Sequence, residues 1–216
     1  MMLRIFSRKK TNVCKIDNIE FLREIVQEHA HEGVFKVLIG SDLQNDFGLK
    51  NGALYCEGAE KATPHVVSLL KRNEYDLIIL TKDTHTDEYL TTQEGKNLPI
   101  KHTIINTRGW RLIESVSDVA MNDTGLTTVL IIEKDTFGST TLQEVVRLLY
   151  QLTNTNIEFD FCGFATNICV ISNVVLTKTA CPEALVTVHA NACAGTTIED
   201  HNHALAVLRS LQVNIV

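Results

Sequence analysis

Five short runs, at residues 35–39, 76–81, 127–132, 157–162 and 184–188, are predominantly apolar and lack the alternation of a half-exposed strand. Strands read this way when both faces are buried, as in a parallel sheet covered by helices. A weaker run at 102–105 brings the expected number of strands to about six. Between the runs lie amphipathic stretches at 59–72, 140–152, 167–178 and 198–211. Strands alternating with helices predict a three-layer αβα fold, a doubly wound and mainly parallel sheet with helices on both faces.

A chain of 216 residues suits one such domain, placed at 34–216. Residues 1–33 are expected to form a tail and a leading helix. The helix is read at 16–31 from the stripe Ile19, Leu22, Ile25 and Val26, with Gly33 ending it. Arg4, Arg8, Lys9 and Lys10 fall in a leader without acidic residues, faintly like an organelle transit peptide, and this leader is read as a solvated tail. A formal net charge of -6 argues against nucleic acid as a partner, because phosphate binding needs a concentrated basic surface. No apolar run reaches the length needed to span a bilayer. The six cysteines, Cys14, Cys56, Cys162, Cys169, Cys181 and Cys193, show no regular spacing and are read as reduced thiols in a cytoplasmic setting.

In doubly wound sheets function gathers beyond the carboxyl ends of the strands. Those ends carry Asp42, Asp83 with His85, Lys134, and the junction leading to Cys169. If a helix begins at Thr166 or Asn167, Cys169 sits on its first turn, where unpaired amides and the helix dipole favour a thiolate. The same amides could hold an oxyanion. An unpaired cysteine more often simply packs, and a lysine ending a strand more often faces solvent. Together with a carboxylate able to carry protons, however, the three side chains suit attack on an amide. Lys134 would favour ionisation of both acids. Asp83, His85, Glu94 and His102 form a second cluster, whose carboxylates and imidazoles suit zinc, manganese or iron. The plain alternative is a loop cap with two ordinary histidines. His189, His201 and His203 are assigned to packing and to a solvated helix face.

Several separated motifs, in order, resemble the isochorismatase-like cysteine hydrolase superfamily and, within it, the nicotinamidase-related amidases. They are Asp42-Leu43-Gln44-Asn45-Asp46-Phe47, Lys134 with Phe137, residues 163–170, and Asn191-Ala192-Cys193-Ala194-Gly195 with His201. The likeness runs from about residue 35 to the C-terminus. It implies Asp42, Lys134 and Cys169 as a catalytic triad and a cis peptide before Ala165 that turns the Ala165 and Cys169 amides into an oxyanion hole. It further implies Phe47 and Phe137 as walls for a substrate ring. Asp83, His85, Glu94 and His102 would hold a divalent metal, zinc above all, that binds a pyridine nitrogen. Leu98 and Pro99 stand where the nicotinamidases carry a tryptophan. The resemblance implies a small amide as substrate, nicotinamide foremost, and a homo-oligomer. Hydrolysis of a carbamoyl compound such as N-carbamoylsarcosine is the alternative. Isochorismatase chemistry needs neither Cys169 nor the cluster, and a non-catalytic relative would have no chemical reason to keep all three triad residues.

Overall fold

Burial on both faces accounts for the missing alternation in the apolar runs. The structure, a computed structural model, describes residues 3–7, 10–14, 19–28, 33–122 and 127–216. The elements of the first half are β1 (Leu3–Ser7), β2 (Lys10–Cys14), α1 (Ile19–Glu28), β3 (Phe35–Ser41), α2 (Asn45–Gly48), α3 (Ala59–Leu70), β4 (Leu77–Asp83) and α4 (Gln93–Asn97). The second half holds α5 (Glu114–Asn122), β5 (Thr128–Lys134), α6 (Thr140–Leu152), β6 (Ile157–Phe164), α7 (Ile171–Ala180), β7 (Leu185–Ala194), α8 (Ile198–Ser210) and β8 (Asn214–Ile215). Every residue of β4 and β5 is buried.

The sheet runs β2-β1-β5-β4-β3-β6-β7-β8, and the six strands from β5 to β8 are parallel. Successive side chains divide between two cores. Val37, Ile39, Leu77, Ile79 and Leu130 pack with α1, α6, α7 and α8 residues on one face. Leu38, Ile78, Leu80, Val129 and Ile131 pack with α3 and α5 on the other. The αβα expectation therefore holds. Among the described residues no helix is long and apolar enough to cross a membrane.

Two expectations are corrected and one helix is added. In the leader, read as a solvated tail, β1 pairs antiparallel with both β2 and β5. Without it β5 would be an edge strand with a row of unsatisfied amides and carbonyls, which is an open template for pairing. Residues 102–105 form no strand; Ile104 makes only an isolated bridge to His85, and the sixth parallel strand is β8. Helix α5 was not anticipated, its apolar Val116, Val119 and Ala120 being set among Ser and Asp. Helix α1 lies inside the expected 16–31, whose two ends fall on residues outside those described.

The parallel register brings the strand ends level. Ser41 pairs with Thr81 and with Gly163, and Asp83 pairs with Lys134, so four strands release their chains at one edge. Gly163 makes the sharpest demand there. Its φ is +121°, and a Cβ would strike the Ser41 backbone. Gly163→Ala is expected to cost about 2 kcal/mol or more, from a disallowed backbone and an overpacked strand pair, as read by urea denaturation.

Candidate active site

Asp42 follows β3 directly, Lys134 ends β5, and Cys169 lies in a π-helical turn, Thr166–Val170, that links β6 to α7. They are 0%, 2% and 7% exposed. The Lys134 Nζ stands 2.7 Å from Asp42 Oδ2 and 3.7 Å from Cys169 Sγ. The Thr81 hydroxyl donates to Asp42 Oδ1 at 2.7 Å, and Cys169 lies near enough to this carboxyl for the two to act on each other. Three side chains spread over more than half the sequence thus meet in one crevice.

The electrostatics differ from those expected of an exposed helix start. Burial pushes the Cys169 thiol well up, and the adjacent Asp42 carboxylate adds to this, while Lys134 opposes it. Burial also raises Asp42 against the pull of Lys134. Lys134 is raised in spite of its own burial, because Asp42, Cys169 and Asp83 surround it, and so it stays an ammonium. Burial thus favours the neutral thiol, which lies beside the Asp42 carboxyl and the Lys134 ammonium. The proton then has a short path from sulfur to oxygen, and the expected standing thiolate is not needed.

The Phe164-Ala165 peptide is cis. Ala165 and Cys169 line one cavity of ≈ 290 Å³, together with Phe47, Leu54, Tyr55, Cys56, Ile168, Leu98, Phe137 and Thr196. Both aromatic side chains expected as ring walls are thus at the cavity. His201, assigned to a helix face from sequence, places its Nδ1 2.8 Å from the Thr166 hydroxyl, at the start of the turn that carries Cys169. His189 lies 3.0 Å from Asp160 Oδ2, away from this site.

The second cluster opens onto the same cavity through Asp83, Glu94 and His102. One donor atom each from Asp83, His85 and His102 lies within 4.8 Å of the others. Asp83 Oδ2 is 3.1 Å from His85 Nε2 and 3.4 Å from His102 Nε2. Glu94 Oε1 comes within 3.8 Å and 3.6 Å of the same nitrogens. Burial alone would raise Asp83, but Lys134 first, then His102 and His85, hold it well below the usual carboxylate range. His102 turns its Nδ1 to the Ile100 carbonyl at 2.8 Å, which leaves Nε2 as the free lone pair, the arrangement typical of metal-bound imidazole. The buried His85 Nε2 satisfies no directed hydrogen bond. Two imidazoles and a carboxylate, with a second carboxylate near, fit a divalent metal.

Two residues of the first motif do work that local pattern did not reveal. The Gln44 amide donates to the Asp83 and Trp110 carbonyls at 2.8 and 2.9 Å, and its oxygen accepts from the Asp83 N–H at 2.8 Å, so it clamps the end of β4. Asp46 accepts from Thr103 N–H at 2.7 Å and from Ala53 N–H at 3.1 Å, joining the loop of His102 to α2. The Thr103 hydroxyl in turn donates to Asp83 Oδ2 at 2.7 Å.

No match is found among curated proteins. Among solved structures, a nicotinamidase/pyrazinamidase from Bacillus subtilis is 27% identical, with a TM-score of 0.71 over 84% of this chain and 99% of that one. The fold is shared at lower identity by two others. The pyrazinamidase/nicotinamidase of Streptococcus mutans is 22% identical, with a TM-score of 0.71 over 84% of this chain and 99% of that one. The pyrazinamidase of Pyrococcus horikoshii, solved in complex with zinc, is 24% identical, with a TM-score of 0.65 over 84% and 98%. The isochorismatase domain profile matches residues 36–216, from the start of β3 to the last residue. With that span matched and the strand ends converging as described, the chain belongs to the isochorismatase domain family.

Proposed function

We propose that the protein is a cysteine-dependent amidohydrolase that converts nicotinamide to nicotinate and ammonia. Family membership and the nicotinamidase neighbours support an amide-bond hydrolase. The observation that carries the nicotinamide reading is the shared cavity, in which Cys169 faces a cluster able to bind a pyridine nitrogen.

Asp42 takes the thiol proton as Cys169 sulfur adds to the amide carbonyl. The Ala165 and Cys169 amides hold the oxyanion that forms. When the tetrahedral intermediate collapses, the C–N bond breaks, and Asp42 passes its proton to the departing nitrogen, which leaves as ammonia. A water that loses its proton to Asp42 then cleaves the thioester, and that proton returns to sulfur as the acid departs. Lys134 neutralises whichever of the two acids carries the charge. Phe47, packed edge-on to His102 with centroids 5.9 Å apart, and Phe137 wall the ring. Asp83, His85, Glu94 and His102 would hold a divalent ion, zinc foremost with manganese and iron as alternatives, which would supply a Lewis acid for the ring nitrogen. Cys56, Cys162, Cys169, Cys181 and Cys193 are free thiols, which suits a reducing, cytoplasmic setting. Family likeness supports a homo-oligomer.

Ammonia release from nicotinamide by metal-supplied enzyme tests this. Chelation is expected to raise KM by about tenfold or more, the worth of one good charge-assisted contact, with recovery on adding zinc. Turnover of a carbamoyl compound but not of nicotinamide would defeat the substrate assignment and leave the hydrolase.

A further inference from the structure

Behind the metal-type cluster lies a second hollow of ≈ 620 Å³, and Glu94, Leu98 and Phe137 line both it and the cavity of Cys169. Those three side chains are therefore the partition between the two spaces. Phe137 is its weak panel. It is 50% exposed and sits in the loop of residues 135–138 between β5 and the Ser139 cap of α6. Exposed aromatic side chains change rotamer within nanoseconds. Turning Phe137 outward joins the hollow to the crevice that holds the reacting sulfur.

The two spaces differ in chemistry. The inner cavity is lined mainly by apolar side chains, whereas the outer one presents Thr86, Thr92, Gln93, Asn97 and Asp135. Hydroxyls, carboxamides and the Asp135 carboxylate face it, Glu94 being turned to the two imidazoles, and no lysine or arginine is among its lining residues. Such a lining accepts hydroxyl-bearing or cationic groups and repels carboxylates.

We propose that this outer hollow is an extension subsite, and that the amide this enzyme takes best carries a polar, non-anionic arm on its ring that reaches past Phe137. The proposal rests on the amidase reading above. Nicotinamide alone would then be the core of the substrate and not all of it.

The test is steady-state ammonia release by metal-supplied enzyme from three probes: nicotinamide, and nicotinamides bearing an aminopropyl or a carboxypropyl arm on ring carbon 5, which is not adjacent to the ring nitrogen. The aminopropyl compound is expected to match or exceed nicotinamide in kcat/KM and to exceed the carboxypropyl compound roughly fivefold. Asp135→Asn should shrink that discrimination and Asn97→Arg should reverse it, both leaving nicotinamide turnover unchanged. Hydrolysis of nicotinamide with rejection of both arm compounds, or charge discrimination that neither variant moves, would overturn the subsite and leave the amidase standing. No ammonia from any of the three would overturn both.

Discussion

Cys169→Ala is expected to lower ammonia release from nicotinamide by at least about 10⁴-fold, because the other thiol at the cavity, Cys56, turns its Sγ to the Leu54 carbonyl, whereas Cys169 has the pair of Lys134 and Asp42 beside it. Replacing one small buried side chain should move the unfolding midpoint by no more than about 4 °C, so lost activity would not reflect a lost fold. Cys169→Ser should be almost as impaired. Its hydroxyl would reach Asp42, but without a strong base it is a poor nucleophile. The outcome that defeats the mechanism is an alanine variant retaining more than about 1% of wild-type kcat with no change in KM. Chemistry of the isochorismatase kind, which needs no sulfur nucleophile, would then have to account for the reaction.

Lys134→Met should be the most damaging single substitution to stability. The ammonium lies 2.7 Å from Asp42 and 3.5 Å from Asp83; among the described residues Asp42 has no other cationic side chain within that reach, while Asp83 also faces His85 and His102. Removing one partner of a buried ionic set typically costs about 3–5 kcal/mol, because a charge is left without compensation. The pH dependence has a definite sign. Burial already raises Asp42, and Lys134 is the foremost influence lowering it, so the variant's Asp42 would titrate still higher when folded. A carboxyl with a folded pKa above its unfolded one stabilises most fully below the unfolded value and loses that contribution as pH rises through the folded one. The variant's stability in urea should therefore fall as pH rises from about 5 to 8. A variant equally stable across that range, and within about 1 kcal/mol of wild type, would show that Lys134 is not the counter-charge of the crevice.

The parts of this molecule that could be read from sequence are those written in local chemistry. Thr140–Leu152 and the cores of the five central strands carry their periodicity or its absence within a few residues. Asp42, Lys134 and Cys169 could be brought together because a parallel sheet aligns its carboxyl ends, whatever lies between them in the chain. Residues 102–105 misled because Ile104 and Ile105 look like a strand, while Thr103, with φ +42°, turns the segment to serve Asp83. The hairpin of β1 and β2 went unseen because its partner, the free side of β5, exists only once the sheet is assembled. Gln44 and Asp46 stood in a motif whose letters were plain, but their acceptors and donors lie up to 66 residues away in loops without periodicity. The surroundings of the sulfur were hidden for a related reason. Sequence shows where a helical turn begins, but not how deeply it is buried, and burial pushes the Cys169 thiol up.

Asp83 gives the site an economy with a cost. One of its oxygens faces Lys134 and the other faces the two imidazoles, so a single carboxylate belongs to both halves of the crevice. Descendants of this sequence cannot refit the imidazole half without disturbing the charge beside Lys134. New preferences within the lineage should therefore arise at walls such as Leu98 and Tyr55, which line the cavity and leave that shared hinge alone.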